Sequence, residues 1–353
     1  MNKKIIIIAG GTGGHIYPAL NIACLLMKQG WEVRWLGCMN RMESYIIPQK
    51  GIKINLIDFT YFKTKNIFFN IFTLWKLIKA LFYSINIYKT YKPDIILSMG
   101  SYISGPPGIA AWLYRIPLVI HEQNNIAGFT NKILSKFAIK IMQAYPYTFN
   151  KGILVGNPVN KQIIKLSVYK RATIKIHHPI HVFITGGSQG SQTINILGVK
   201  LAYILKYKIS ILHQVGQNNL IHILNKYKKN KVNNFILKEY IPDMYEAYKW
   251  ADIIISRSGA MTVSEITIIG LPAIFIPFKH KDKQQYLNAI PLKNIGAAEI
   301  FEQDNINIHK IAYIILSLNT HNIKKMLVKS NNLCIYNSTE LICNEINLIF
   351  NKN

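Results

Sequence analysis

Two glycine-rich runs are the places where this chain could first do chemistry. One is Gly10-Gly11-Thr12-Gly13-Gly14-His15, the other Gly186-Gly187-Ser188-Gln189-Gly190-Ser191. Each follows an apolar stretch that reads as a strand, residues 4–9 or 181–185. Each then opens into a helical pattern, residues 17–28 or 193–205. A strand–loop–helix unit turns unpaired backbone N–H groups and the positive end of a helix toward whatever sits before it. Glycine lets the backbone come close with no Cβ in the way. That chemistry suits a diphosphate.

The usual owners of such loops are poor fits. A dinucleotide loop needs G-x-G-x-x-G, but from Gly11 and Gly13 the third position is Ile16, and neither Gly186 nor Gly187 starts a match. The acidic ribose ligand expected at the end of the second strand is replaced by Leu36-Gly37-Cys38. The Gly-Lys-Ser/Thr of a P-loop is absent. Four further polar loops follow apolar runs: residues 100–106, 121–124, 257–265 and 278–285. Carboxyl ends of parallel strands are where open α/β sheets place ligands. In the third, Ser258-Gly259-Ala260 begins a helix whose N-terminus can hold a diphosphate. Glu265, one to two turns inside, can reach ribose hydroxyls, or is an ordinary acid favoured by the helix dipole. Gln284 and Gln285 are neighbours pointing different ways, so at most one faces a ligand.

Positioning these loops requires strands and helices in alternation. Strands are expected at 32–36, 54–57, 95–98, 118–121, 140–143 and 153–155 in the first half. In the second they are expected at 209–214, 234–238, 253–256 and 273–276. Continuous apolar runs separated by helical patterns mark buried parallel strands, hence two doubly wound α/β units. At 353 residues two domains are expected, with the hinge at Gly156-Asn157-Pro158-Val159-Asn160 and a last helix at about 339–350 that could close on either half.

Composition narrows the partners. The net charge is +26, from 42 Lys and Arg against 16 Asp and Glu, which favours an anionic partner, although an Ile-, Asn- and Lys-rich coding bias would also raise it. The lysines are spread throughout rather than gathered among aromatics in one module, which argues against nucleic acid. Cys24, Cys38, Cys334 and Cys343 form no metal-ligand spacing and read as thiols in a reducing compartment. The apolar run at residues 5–9 is too short for a signal peptide, so a cytoplasmic protein is expected. Residues 66–88 are strongly apolar, but Lys76 and Lys79 interrupt them, and Asn66, Asn70, Thr73 and Lys76 recur at helical spacing. That is an amphipathic helix rather than a spanning one.

Together the segments GGTGGHIYPAL, HEQN, GNPV, GGSQG, RSGAMTVSE and PFKHKDKQQYLNA, in this order and spacing, resemble the MurG family. Its members are UDP-N-acetylglucosamine:undecaprenyl-pyrophosphoryl-muramyl-pentapeptide N-acetylglucosaminyltransferases of family 28. The resemblance covers almost the whole chain. It implies a GT-B fold: two Rossmann-like doubly wound parallel-sheet domains with an inter-domain cleft. Residues 1–158, with the last helix 337–353, would be the acceptor and membrane-facing domain, and 159–336 the UDP-GlcNAc donor domain.

Carried over by position, the backbone of Ile241 would meet uracil and Glu265 the ribose. Ser188 and residues Ala260, Met261, Thr262, Val263 and Ser264 would surround the diphosphate. Gln285, beside Gln284, would touch the N-acetylglucosamine, with Thr12, Gly13, Gly14 and Asn124 closing from the other domain. Tyr102 and Ser104 fall on the acceptor side. The implied reaction is inverting transfer to the C4 hydroxyl of the muramyl sugar of lipid I. Arg257 would help stabilise charge on the departing UDP. His15 is the candidate base, its alternative role being to shape its loop, and Glu122 is the second choice. No Asp-x-Asp pair occurs, so neither metal nor cofactor is expected. The lipid acceptor implies peripheral binding at the cytoplasmic face of the bacterial inner membrane. There the face from Ile67 to Ile87 would insert, with Lys63, Lys65, Lys76, Lys79 and Lys89 facing anionic headgroups.

Two departures stand out. The family usually has Arg where Asn160 lies, and Gly-Gly-Tyr where Ser101 follows Gly100. A positive φ at Ser101 would strain it. The rival readings are another enzyme of the same architecture, such as a UDP-sugar epimerase, and a nucleic-acid-binding protein.

Overall fold

The computed structural model describes residues 3–58, 67–173 and 175–352, with only the backbone of 67–73. The chain divides into two compact units, Met1–Val159 with Asn337–Asn353, and Asn160–Tyr336.

In the first unit the strands are β1 (Lys3–Ile8), β2 (Trp31–Cys38), β3 (Lys53–Ile57), β4 (Ile95–Ser98), β5 (Leu118–Glu122), β6 (Lys140–Gln143) and β7 (Ile153–Leu154). They form one parallel sheet in the order β3-β2-β1-β4-β5-β6-β7. The helices between them are α1 (Gly13–Lys28), α2 (Met42–Ile46), α3 (Ile67–Tyr91), α4 (Gly105–Leu113) and α5 (Phe129–Leu134). The run of isoleucines in β1 follows from burial on both faces. Ile5 and Ile7 pack toward α1 and the last helix, Ser338–Phe350, while Ile6 and Ile8 pack toward α3 and α4. All four are fully buried, each contributing about 1.5–3 kcal/mol of transfer free energy.

The second unit runs α6 (Lys161–Ala172), β8 (Ile180–Thr185), α7 (Gln192–Leu205), β9 (Ile209–Gln214), α8 (Leu220–Lys229), β10 (Phe235–Lys238), α9 (Met244–Trp250), β11 (Ile253–Ser256), α10 (Ala260–Ile269), β12 (Ala273–Phe275), α11 (Gln284–Asn294), β13 (Ala298–Ile300), α12 (Ile308–Leu316) and α13 (Thr320–Asn331). Its parallel sheet is ordered β10-β9-β8-β11-β12-β13. The sheet order reverses between β1 and β4 in the first unit and between β8 and β11 in the second. Such switch points open a crevice at the carboxyl ends of the strands, and both glycine loops lie there.

The expected strands are all present, within about two residues at their ends. β13 was not foreseen: Ala-Glu-Ile at a sheet edge has no apolar run to announce it. α1 starts at Gly13, four residues before the expected position, because Thr12 is still extended (φ −132°, ψ 158°) and the next residue already turns. Ser101 does have positive φ (φ 72°, ψ 161°), in a region that is essentially glycine's and costs about 1–3 kcal/mol. Asn160 serves as the N-cap of α6, its side chain accepting from the N–H of Gln162.

α3 has two apolar faces. Ala80, Ser84, Ile87, Tyr88 and Tyr91 are buried, while Leu74, Trp75, Ile78, Phe82 and Tyr83 are exposed on the other side. Lys63, Lys65 and Asn66 lie outside the described residues, as do the side chains of Ile67, Phe68, Asn70 and Thr73. Among the described residues no helix is long and apolar enough to cross a membrane.

Candidate active site

The crevice of the first unit is built by the loops after β1, β4 and β5. Trp35, fully buried, donates its indole N–H to the Ala9 carbonyl and fixes where the first loop begins (2.8 Å). Beneath the loop lies the buried carboxylate of Glu43, which accepts from the N–H of Cys38 (2.9 Å) and of Gly11 (3.3 Å to either oxygen). A Cβ on Gly10 would sit 2.4 Å from that carboxylate, so any larger residue here would have to push Glu43 aside. Gly11, with φ +95°, therefore points its N–H down at Glu43 rather than out toward a ligand. The N–H groups of His15 and Ile16 go to the Thr12 carbonyl. The outward donors at this helix end are the first-turn amides of Gly13 and Gly14, beside the exposed Thr12.

His15 is half-buried, and its Nδ1 lies 2.9 Å from the Met99 carbonyl after β4 and 3.1 Å from Oε1 of Gln123 after β5. A carbonyl can only accept, so Nδ1 carries a proton, and in the neutral ring the lone pair is on Nε2. Glu122 is placed differently. One carboxylate oxygen accepts from the backbone and side-chain N–H of Asn124, the other from Gly128 N–H and Asn131. Buried and held by donors on both oxygens, it orders the loop that carries Asn124. Ser104 is also fully buried and donates its hydroxyl to the Gly100 carbonyl, so it shapes its turn. Tyr102 remains half-exposed; burial pushes its phenol up to about 12.

In the second unit the loop after β8 packs against the loop after β9 backbone to backbone. A Cβ on Gly190 would lie 2.2 Å from the Val215 carbonyl, and one on Gly216 would meet Gly190 at 2.3 Å. Gly187 donates to the Thr185 hydroxyl, as does buried Gln214 through its amide nitrogen. Gln214 Oε1 in turn accepts from the N–H of Ile241 (2.9 Å). With that N–H engaged, Ile241 presents its carbonyl as the group that could read a base.

α10 begins after Gly259, and Val263 N–H already bonds to the Gly259 carbonyl (2.9 Å). The first-turn amides of this end that could face an anion are thus Ala260, Met261 and Thr262, and Val263 is buried. Half-buried Glu265 accepts from the hydroxyl of Tyr248 (2.7 Å), and burial pushes its carboxyl up to about 7. Gln285 spends its amide oxygen on Phe278 N–H (2.8 Å), leaving the amide nitrogen to face a ligand. Arg257 is a cross-link. One Nη donates to the Ile276 and Pro277 carbonyls, the other to Ser191 Oγ (2.7 Å) and Gln303 Oε1 (2.8 Å). Its charge acts on the crevice as a field, its terminal donors being already spent.

Among the described residues one group, His177, His181 and Asp252, has metal-ligating types close together. The two imidazoles stack at 4.0 Å, 11° from parallel, so their lone pairs run side by side instead of converging. Asp252 accepts from His177 Nδ1 and from the backbone N–H of His177 and His181. The cluster sits at the amino ends of β8 and β11, the edge opposite the glycine loop, and plays no part in this site.

Each unit thus gathers its own expected residues at one sheet edge: Thr12 to His15, Tyr102, Glu122 and Asn124 in the first, Ser188, Ile241, Arg257 to Glu265 and Gln285 in the second. Glu43, Gln123, Gln214 and Tyr248 escaped the sequence reading. Each acts through a partner distant in sequence; the burial of a lone acid or amide beside an apolar strand could have flagged the first three, and nothing local marks Tyr248.

The comparisons with known proteins agree with this geometry. The Glycosyltransferase family 28 N-terminal domain matches residues 5–143, and the Glycosyltransferase family 28 C-terminal domain matches residues 181–340. A protein of Buchnera aphidicola subsp. Schizaphis graminum is 46% identical over 351 residues, covering 99% of each chain. One of Baumannia cicadellinicola is 42% identical over 349 residues, 98% of this chain and 97% of that one. Both are named UDP-N-acetylglucosamine–N-acetylmuramyl-(pentapeptide) pyrophosphoryl-undecaprenol N-acetylglucosamine transferase. The crystal structure of Acinetobacter baumannii MurG superposes with a TM-score of 0.81 at 31% identity, covering 98% of this chain and 99% of that one. The chain is a glycosyltransferase and belongs to glycosyltransferase family 28.

Proposed function

We propose that the chain transfers N-acetylglucosamine from UDP-N-acetylglucosamine to the C4 hydroxyl of the muramyl sugar in undecaprenyl-pyrophosphoryl-muramyl-pentapeptide, inverting the anomeric centre. The observation that carries this reading is identity of 46% over essentially the whole chain to a relative named for that transfer. The second unit takes the donor. The Ile241 carbonyl accepts from the uracil ring and Glu265 binds the ribose. The α10 amides of Ala260 to Thr262, with Ser188, receive the diphosphate, and the Gln285 amide nitrogen meets the sugar. The first unit takes the acceptor, with its diphosphate near Gly13 and Gly14. His15 Nε2 removes the C4 hydroxyl proton as that oxygen bonds to the anomeric carbon. The anomeric C–O bond breaks, its electron pair leaving with UDP. Charge growing on the diphosphate is met by the α10 helix end and the fixed charge of Arg257.

Incubation with UDP-N-acetylglucosamine and the lipid-linked muramyl acceptor should yield free UDP and a disaccharide lipid. An epimerised sugar nucleotide with no transfer would reject the reading.

The acceptor's lipid explains the second apolar face of α3. Leu74, Trp75, Ile78 and Phe82 stay exposed beside Lys79 and Lys89, a composition suited to an anionic interface. Wild-type protein should float with anionic liposomes, and Trp75→Asp with Phe82→Asp should not. Flotation unaffected by the pair, or absent in the wild type, would exclude this face as the anchor.

A further inference from the structure

His15 is held by a chain of groups longer than its own two contacts. Beyond Gln123 lies His121, whose Nδ1 is 3.1 Å from Gln123 Nε2 and whose Nε2 is 2.9 Å from the carbonyl of Gly156. His121 and Gln123 are at most 1% exposed, and Gly156 begins the segment that leaves the first unit. We propose that Gln123 and His121 are positioning residues that set the tautomer of His15, through a hydrogen-bonded chain anchored on the Gly156 carbonyl. This inference rests on the reading of His15 as the base.

Both ends of the chain are backbone carbonyls, and that fixes every proton between them. The Gly156 carbonyl accepts only, so His121 must carry its proton on Nε2, leaving the lone pair on Nδ1. Gln123 must then turn its NH2 toward His121 and its oxygen toward His15. The Met99 carbonyl independently requires a proton on His15 Nδ1, and the Gln123 oxygen is correctly placed to share it. Reversing the Gln123 amide would set N–H against N–H at His15 and leave oxygen facing a lone pair at His121. With both rings neutral the arrangement has one consistent solution, and in it the two histidines are opposite tautomers. The His15 lone pair falls on Nε2.

His121 keeps this role only while neutral. Burial pushes its imidazolium down to about 4, more than the neighbouring Glu122 carboxylate and the Gly156 carbonyl raise it, with His15 as the other titratable neighbour. The backbone of Gln123 is fixed too, its carbonyl accepting from the Asn157 amide (3.0 Å). Two acceptors, one just after β4 and one just after β5, therefore grip a single N–H and hold the ring plane as well as its tautomer.

The chain is read directly by NMR of full-length protein labelled with 15N-histidine, assigned with His15→Asn and His121→Asn. In the wild type at neutral pH, His15 should show a protonated Nδ1 and bare Nε2, and His121 the reverse. The same tautomer at both sites, or the reversed pair, would overturn the proposal. Gln123→Glu can accept from His15 but cannot donate to His121. It should move His121 off its Nε2–H tautomer or charge it. It should also shift the acidic limb of kcat/KM upward by about one pH unit, since a carboxylate favours an imidazolium. Gln123→Met should lower kcat roughly tenfold to a hundredfold, the cost typical of losing a group that orients a functional histidine, with both KM values held. Unchanged tautomers and an unmoved pH limb in Gln123→Glu would sink the relay. A His15→Asn enzyme that turns over normally would instead overturn the base assignment, while leaving the wild-type tautomers as described.

Discussion

At the switch point of the first sheet, His15 reaches from the helix after β1 to the loop after β4. At that of the second, Arg257 reaches from the loop after β11 back to Ser191 after β8. The two bridges occupy equivalent places in equivalent topologies, yet they are spent differently. His15 spends one ring nitrogen on two acceptors and leaves the other as the atom that the proposed reaction would use. Arg257 uses both terminal nitrogens on four acceptors and keeps only its charge. The same contrast runs beneath the loops. A buried carboxylate, Glu43, pulls Gly11 N–H inward in the first unit, whereas the second places a neutral hydroxyl, Thr185, under Gly187. On the function proposed above, a repeated fold would thus give one half a proton-transfer atom and the other a rigid, positive frame for a leaving group.

The comparison can be broken most sharply at His15. His15→Asn should reduce kcat by about 10²- to 10⁴-fold, as loss of a general base does. Calorimetric affinity for UDP-N-acetylglucosamine should stay within twofold. A loss of donor affinity instead would show that the two halves do not divide the work this way.

The complementary change is Glu265→Ala, which should raise the donor KM roughly 10- to 100-fold, the worth of hydrogen bonds to a charged group, and leave the acceptor KM alone. Its titration gives a second test. Burial raises the Glu265 carboxyl from 4.5 to about 7. Ribose hydroxyls donate best to the ionised form, so donor affinity should climb as pH rises from 6 to 8. Stability must move the other way. The folded state holds this proton more tightly than the unfolded chain, so the stabilisation is full below about 4.5 and is lost as pH rises through 7. Calorimetric scans at a series of pH values would separate the two trends.

Arg257→Lys keeps the charge and discards the fork. Stranding several acceptors should cost about 1–3 kcal/mol, visible as an earlier urea transition of the second unit. Activity should fall less than with a neutral residue there. The smallest expected effect is Ser101→Gly, which relieves a strained φ and should stabilise the first unit by about 1 kcal/mol without changing turnover. An unchanged or lower melting temperature would mean the strain is offset by contacts of the serine side chain.

How much of this was legible in the sequence depended on distance along the chain. The isoleucine run of β1 and the glycine loops announce themselves locally, because strand burial and close backbone approach act on neighbouring residues. Glu265 could be put one to two turns into its helix from the sequence, although helix phase left open whether it reaches a ribose or merely suits the helix dipole. Its partner Tyr248 could not, since the contact joins α9 to α10 through the tertiary fold. Glu43 looks in sequence like any acid on a short helix, and only the folded loop shows its oxygens filling the space a Cβ on Gly10 would need. Ser101 was identifiable as an anomaly. Its cost became definite only with the backbone angle.

The last helix has a consequence for how the protein is made. It returns to the first unit, placing Ile342, Cys343 and Ile346, all fully buried, against the sheet face formed by Ile5 and Ile7, and Phe350 against Trp31. During synthesis the whole of the second unit leaves the ribosome before that helix does. For that interval the first unit carries an open apolar face while the second can already close its core. The order of completion is then the reverse of the order of translation. The nascent first half is the stage at which a chaperone has something to hold.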